Sequence, residues 1–381
     1  MLNVTVESQN RKFLSIEQNI KLDEQKQVKY KKIWLKTQKP QLPVKIQEHE
    51  TVKQILSHPL LLTLLRIVFE ETGEIPLQRA QLYHAGLQIL LKQWGSTEGA
   101  KDKIFTSLSL KQKEDLLTYV AWMTFAQGEY FFEQQQLEQY ISDYLQKIFK
   151  TQIELETRAQ AKQVLQSIQA HYELFTEWTP GIYAFSVLSF HEYLAAKAIV
   201  EGYTVQGLEQ ALKQLVEQLT ENRWHQICTL VASMLPNTDY LLLLMKSKID
   251  TLIESQVTLQ PFLTWLKYQS LKINCDYKPA AVRAFYIECI LGIDFEISGA
   301  LDSKLSRDLE ADSPKLNSAA HKLQRCRFSD RQKQALQQYY DMSKVLFDSI
   351  DAGCVTCSIR EELEQNLFSF AKNTPLLEAI A

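Results

Sequence analysis

Apolar positions recur at three- and four-residue spacing along most of the chain, the period of helices with one buried face. Leu60 to Phe69 is apolar almost all round, which predicts a helix buried on most sides. Pro59 suits the first turn of that helix, where the amide it lacks would be unpaired anyway, and Gly73 ends it. A short helix over 51–57 precedes it, and a further one starts at Pro76 and runs through Leu82, Leu87 and Trp94. Two more helices, predicted over 110–127 and 133–149, flank the turn Gln127-Gly128-Glu129. The next spans 155–178, with Leu165, Ile168, Tyr172, Leu174 and Phe175 as core candidates. Thr179-Pro180-Gly181 is a tight turn leading into a short strand over 182–185. Helices then follow at 208–219, 223–234, 239–253, 258–268 and 279–291, an interval that suggests stacked helical hairpins of the solenoid kind. Leu301, Leu305 and Leu309 step by four through a polar stretch. Ser329 or Asp330 caps a long helix to Leu346, and 358–368 forms the last one.

The chain is organised around Phe185-Ser186-Val187-Leu188-Ser189-Phe190-His191-Glu192-Tyr193-Leu194-Ala195-Ala196, an extended segment turning into a helix. Ser189 and Glu192 have the spacing of a capping box, in which serine takes an N3 amide and glutamate returns to the N-cap amide. Phe190, Leu194 and Ala198 give the new helix an apolar face.

Composition supports a mainly α protein. Gly is 11 of 381 residues, well below the usual ~7%, and Leu, Gln, Lys, Glu and Ala abound. A net charge of −3 gives no bulk drive toward nucleic acid or an anionic membrane. The first twenty residues lack the apolar core of a secretory signal, and no apolar run approaches a membrane span. Six scattered cysteines fit a reducing compartment, so a cytoplasmic location is expected. Six lysines between Lys26 and Lys39 surround Tyr30, Ile33 and Trp34, the pattern of a helix with a solvated basic face.

Three segments carry a resemblance. The stretch from Phe185 to Ala196 resembles the winged-helix signature F-x-H-L-[ST]-F-Q-E-[FY]-L-A-A of NACHT-type STAND signalling ATPases. His58-Pro59-Leu60-Leu61-Leu62-Thr63-Leu64-Leu65 resembles the N-P-L-L-L-T-L-L that opens that family's helical lid. Tyr277-Lys278-Pro279-Ala280-Ala281-Val282-Arg283-Ala284-Phe285-Tyr286 resembles the C-terminal helical region of bacterial, especially cyanobacterial, NACHT proteins. Residues 1–27 are polar and lack a strong period, which reads as a poorly ordered leader. The resemblance implies a helical lid over 28–95, a winged-helix domain with a small β wing over 96–204, and a C-terminal α-helical domain over 205–381. It implies that Pro59 lies near the adenine where a nucleotide-binding domain is supplied, in trans in this case. The signature's histidine, implied to contact the nucleotide phosphate, is replaced here by Val187, and His191 stands at the following Gln position.

The chemistry of a phosphate cradle is missing. No G-x-x-x-x-G-K-[ST] occurs, and the loop Gly95-Ser96-Thr97-Glu98-Gly99-Ala100-Lys101 fails the spacing. No strand ends in an acidic pair for Mg²⁺. His191-Glu192 fails as a zinc-protease pair because position 195 is alanine. Cys354-Val355-Thr356-Cys357 and His225-Gln226-Ile227-Cys228 are half-sites for a metal. Cys354 and Cys357 are weak candidates, Cys326 and His321 further contributors, and unligated cysteines the better reading. The helix from Phe190 is poor in the Arg, Lys, Asn and Gln that read bases.

The expectation is therefore a non-catalytic regulatory or sensor fragment of a NACHT-type protein, related to antiphage conflict systems. It binds no cofactor, and it acts through protein contacts with a NACHT ATPase chain or itself, not with nucleic acid or membrane. Ser189, Phe190, Glu192, Tyr193 and Leu194 form its structural motif, and the lid is expected to expose an apolar patch. Two alternatives are a subunit that completes a nucleotide pocket in trans and a gene remnant without selected function.

Overall fold

The computed structural model describes residues 59–74, 76, 78–93, 107–149, 154–172, 174–202, 207–272, 277–311 and 328–370. The leader, the lysine-rich stretch, the helix over 51–57, the 95–101 loop, His321, Cys326 and the tail from Ala371 lie outside them. The chain divides into two compact units, Met1–Gly99 and Ala100–Ala381.

In the first unit, helix α1 (Pro59–Thr72) packs on α2 (Arg79–Gln93). Leu64, Leu65 and Val68 of α1 and Leu82, Leu87 and Leu91 of α2 are buried. Gly86 allows the approach: a Cβ there would sit 2.7 Å from Leu64 Cδ2. Gly73, at φ +71°, takes the left-handed conformation that ends α1, and its N–H donates to Phe69 O. The second helix starts later than Pro76 suggests. It begins at Arg79, and Leu82 N–H donates to Gln78 O at 3.0 Å. The apolar patch expected on the lid falls largely on residues 28–58 and on the side chains of Leu60, Leu61 and Leu62, which lie outside the described residues.

The second unit opens with a winged helix: α3 (Leu110–Ala126), β1 (Phe132–Glu133), α4 (Gln134–Phe149), α5 (Glu154–Tyr172), β2 (Phe175–Thr179), β3 (Ile182–Phe185) and α6 (Leu188–Val200). Ser109 starts α3 with a capping box to Gln112. The three strands pair antiparallel in the order β1-β3-β2, with Phe132 opposite Tyr183 and Phe175 opposite Phe185. The helix expected over 155–178 therefore stops at Tyr172, and Phe175 belongs to a strand. Its ring gains Phe132 and Phe185 at centroid distances of 6.1 and 4.7 Å, a cluster that outweighs the local helical period. Gly181, at φ +79°, makes the wing turn and donates its N–H to Glu177.

After α6 come α7 (Leu208–Glu217), two short 3₁₀ turns, α8 (His225–Met234), α9 (Asp239–Ser255), α10 (Gln260–Lys272), α11 (Pro279–Leu291), α12 (Glu296–Leu301) and α13 (Ser303–Glu310). Helix α14 (Asp330–Ala352), capped by Ser329 with Gln332, and α15 (Cys357–Asn366) follow. The solenoid expectation fails here. Repeats of a solenoid touch only their neighbours, whereas α14 returns to pack on α8, α9 and α11. Tyr340 of α14 donates to Glu288 of α11, and Cys354 O accepts from Thr238 N–H at the start of α9. The domain is a bundle around α14, whose Leu336, Met342 and Leu346 are fully buried. No helix among the described residues is long and apolar enough to cross a membrane.

Candidate functional site

The organising stretch becomes the strand-to-helix junction between β3 and α6. Ser186 is held by the hairpin: its N–H donates to Leu174 O, and its hydroxyl lies 2.7 Å from that of Thr176. The chain turns immediately afterwards, so Val187, not Ser189, is the N-cap of α6, and no side chain caps the helix. The capping box expected from Ser189 and Glu192 is thus absent. Anchoring Ser186 in the hairpin moves the helix start forward, so that Ser189 falls inside the first turn. The Val187 carbonyl accepts from Phe190 N–H (3.1 Å) and His191 N–H (3.4 Å).

Past its first turn, α6 is almost entirely buried. Phe190, Tyr193 and Leu194 are core, and Leu194 is 0% exposed. The helix packs on α3, on α8 and against α7. His191 is 1% exposed, its ring stacked on Phe185 at 4.5 Å and edge-on to Phe125 and Tyr130. Its Nε2 lies 3.2 Å from Ala121 O, which can only accept, so Nε2 carries the proton. The same nitrogen is 2.8 Å from Thr124 Oγ1, whose own hydroxyl reaches Val120 O at 2.9 Å. Burial pushes the imidazole down to about 4, keeping it neutral. Glu192 is half-buried, and burial pushes its carboxyl up to about 7. Lys197, further along α6, makes a buried ion pair with Glu114 of α3 at 3.3 Å and a part-buried one with Glu201 at 2.6 Å.

Contacts at the other end of α3 reach the C-terminal bundle. Arg223 Nη1 donates to Phe125 O at 3.0 Å, and the Phe125 ring meets Trp224 edge-on at 5.0 Å. Gly128, at φ +74°, leaves room for that guanidinium: a Cβ there would lie 2.9 Å from Arg223 Nη1.

Residues 79–199 match the family described as Winged helix-turn-helix domain C-terminal to NACHT, and residues 313–370 match NACHT C-terminal Helical domain 2. The chain carries C-terminal domains of the NACHT type. No curated protein and no solved structure matches it.

In NACHT terms, the position where the resemblance places a phosphate-contacting histidine is held by Val187, which offers a helix-capping carbonyl and an apolar side chain. His191 does not stand in for it, since its ring points its proton at α3. Pro59 is the first residue of α1 in the other unit, and its side chain lies outside the described residues. Cys354 and Cys357 are both exposed, Cys228 is buried with its thiol pushed up to about 12, and His225 Nε2 is 3.0 Å from Leu219 O. Among the described residues no group of three or more His, Cys, Asp or Glu could hold a metal.

The helix in the DNA-reading position is not α6. It is α5, the second helix of the helix-turn-helix, with Arg158, Lys162, Gln163 and Gln166 exposed. Sequence reasoning also missed the charges inside α11. Every residue from Ala280 to Ile290 is buried, including Arg283 and Glu288. Glu288 Oε1 accepts from Tyr340 hydroxyl and Ile297 N–H, both at 2.9 Å, and from Ser298 N–H, so it caps α12 and ties α14 to α11. Burial pushes its carboxyl upward. Two charges in an otherwise apolar run were the signal for this network.

Proposed function

We propose that this chain is a non-catalytic regulatory part of a NACHT-type protein, acting through protein contacts, with its C-terminal bundle as the sensing element. The observation that carries the reading is the junction at Val187: the helix that should present a phosphate ligand begins on a residue whose side chain has no donor. Two further features support it. Helix α6 is shared by the winged helix and the bundle, so a change in the bundle is felt directly under the wing. The family matches place the chain among NACHT-associated domains, and on that resemblance we assign it to antiphage conflict signalling. A stand-alone DNA-binding role is disfavoured because the sequence of α5 balances Glu154 and Glu156 against Arg158 and Lys162.

A nucleotide titration tests this. The purified chain is expected to show no ATP hydrolysis above background and no rise in Tm with millimolar ADP; a rise of several degrees overturns the reading. If the rise appears only when a NACHT NTPase chain is added, the trans-completed pocket replaces it.

A further inference from the structure

The C-terminal bundle holds a cavity of about 590 Å³ between α10, α11 and α15, inside the ~300–1,000 Å³ range of small-molecule sites. Its floor contains Arg283, 3% exposed. The guanidinium donates from Nε to Leu367 O at 2.9 Å, from Nη2 to Gln365 O, and from Nη1 to Ser270 Oγ at 3.2 Å. Three of its N–H groups thus serve the end of α15 and one hydroxyl, and an arginine has five. No carboxylate among the described residues pairs with it. Burial lowers it to about 10, so it stays charged at neutral pH. A buried charge without a counterion is costly, and satisfying carbonyls does not supply one.

A second group points the same way. Ser369 is 2% exposed, lines the same cavity, and its hydroxyl has no hydrogen-bond partner. Lys267 and Lys278 stand exposed at the mouth. Leu271 and Leu301 supply apolar wall. Glu361 and Glu364 also line the cavity; Glu364 is engaged by Arg360 at 3.6 Å. These glutamates disfavour a doubly charged anion, and two spare N–H groups with one hydroxyl match the two oxygens of a carboxylate.

We propose that this cavity binds a small amphipathic carboxylate, its head on Arg283 and Ser369 and its short apolar body along Leu271 and Leu301. The proposal takes its meaning from the sensing role above but is tested without nucleotide or partner. The full chain is titrated calorimetrically with sodium octanoate, with octylamine hydrochloride and inorganic phosphate as comparators, and Tm is followed in parallel. Octanoate is expected to bind at least tenfold tighter than either comparator and to raise Tm. Ser369→Ala removes a hydroxyl that has no partner, so it should leave the ligand-free Tm unchanged while weakening octanoate binding at least fivefold. The double variant Lys267→Glu/Lys278→Glu, at exposed positions, should weaken it similarly. Octanoate binding no tighter than octylamine, phosphate competing on equal terms, or wild-type affinity in Ser369→Ala would each overturn the assignment. Failure here with silence toward ADP removes the ligand class and leaves the regulatory reading intact.

Discussion

Replacing His191 by alanine is expected to lower the unfolding free energy at pH 7.5 by about 3–4 kcal/mol, read by urea denaturation. The imidazole fills the space between Phe185, Phe125 and Tyr130, so the loss is a cavity beneath the wing as well as a hydrogen bond to Ala121. The pH dependence separates this from ordinary packing. The folded pKa of His191 lies near 4, below its ordinary 6.5, so on acidification the unfolded chain takes the proton first. Its contribution is complete above pH 6.5 and disappears as pH falls toward 4, a loss of about 3 kcal/mol. His191→Phe keeps a ring but cannot titrate, so its stability relative to wild type should rise by that amount across the same window. Glu192 works in the opposite direction. Its folded value near 7 lies above its ordinary 4.5, so stability falls as pH rises between those values. Wild type should therefore show a flattened profile between pH 4.5 and 6.5, and Glu192→Gln should restore a clear rise with pH. A Glu192→Gln profile as flat as wild type would rule out this opposition.

The second large effect is expected at Glu288. Alanine there strips the acceptor from Tyr340 hydroxyl and from the Ile297 and Ser298 amides, leaving buried donors unpaired at the junction of α11, α12 and α14. The expected cost is about 3–5 kcal/mol. Glu288→Gln keeps the accepting oxygen, and because burial already favours the uncharged acid, it should cost less than about 1.5 kcal/mol. Equal losses in the two variants would mean that charge, and not acceptance of these hydrogen bonds, is what the bundle requires.

Most helices were legible because their apolar spacing is long and regular, as in α9 and α14. What escaped was decided by partners distant in sequence. Leu174 and Phe175 continue the helical period of α5, and only Phe132 and Phe185 across the sheet draw Phe175 into β2. Ser189 has the spacing of a cap, yet the hairpin's hold on Ser186 fixes the turn before it. The solenoid expectation came from even spacing of α7 to α11, which says nothing of a later helix coming back to pack against them. At the site, Val187 was readable as a departure from the signature, while the burial of His191 depends on Ala121 and Thr124 some seventy residues earlier. Arg283 and Glu288 stood in plain view in an apolar run.

The family matches end and resume on either side of a gap, but the packing has no seam at Val200. Helix α6 gives one flank to α3 and another to α8, and Arg223 reaches back across to Phe125. A lineage trading its C-terminal bundle for another by recombination after α6 would inherit a wing whose underside is cut to fit Trp224 and Arg223. Exchange of bundles should therefore carry α6 and the turn at 222–224 along as a hereditary collar, with diversity accumulating farther out.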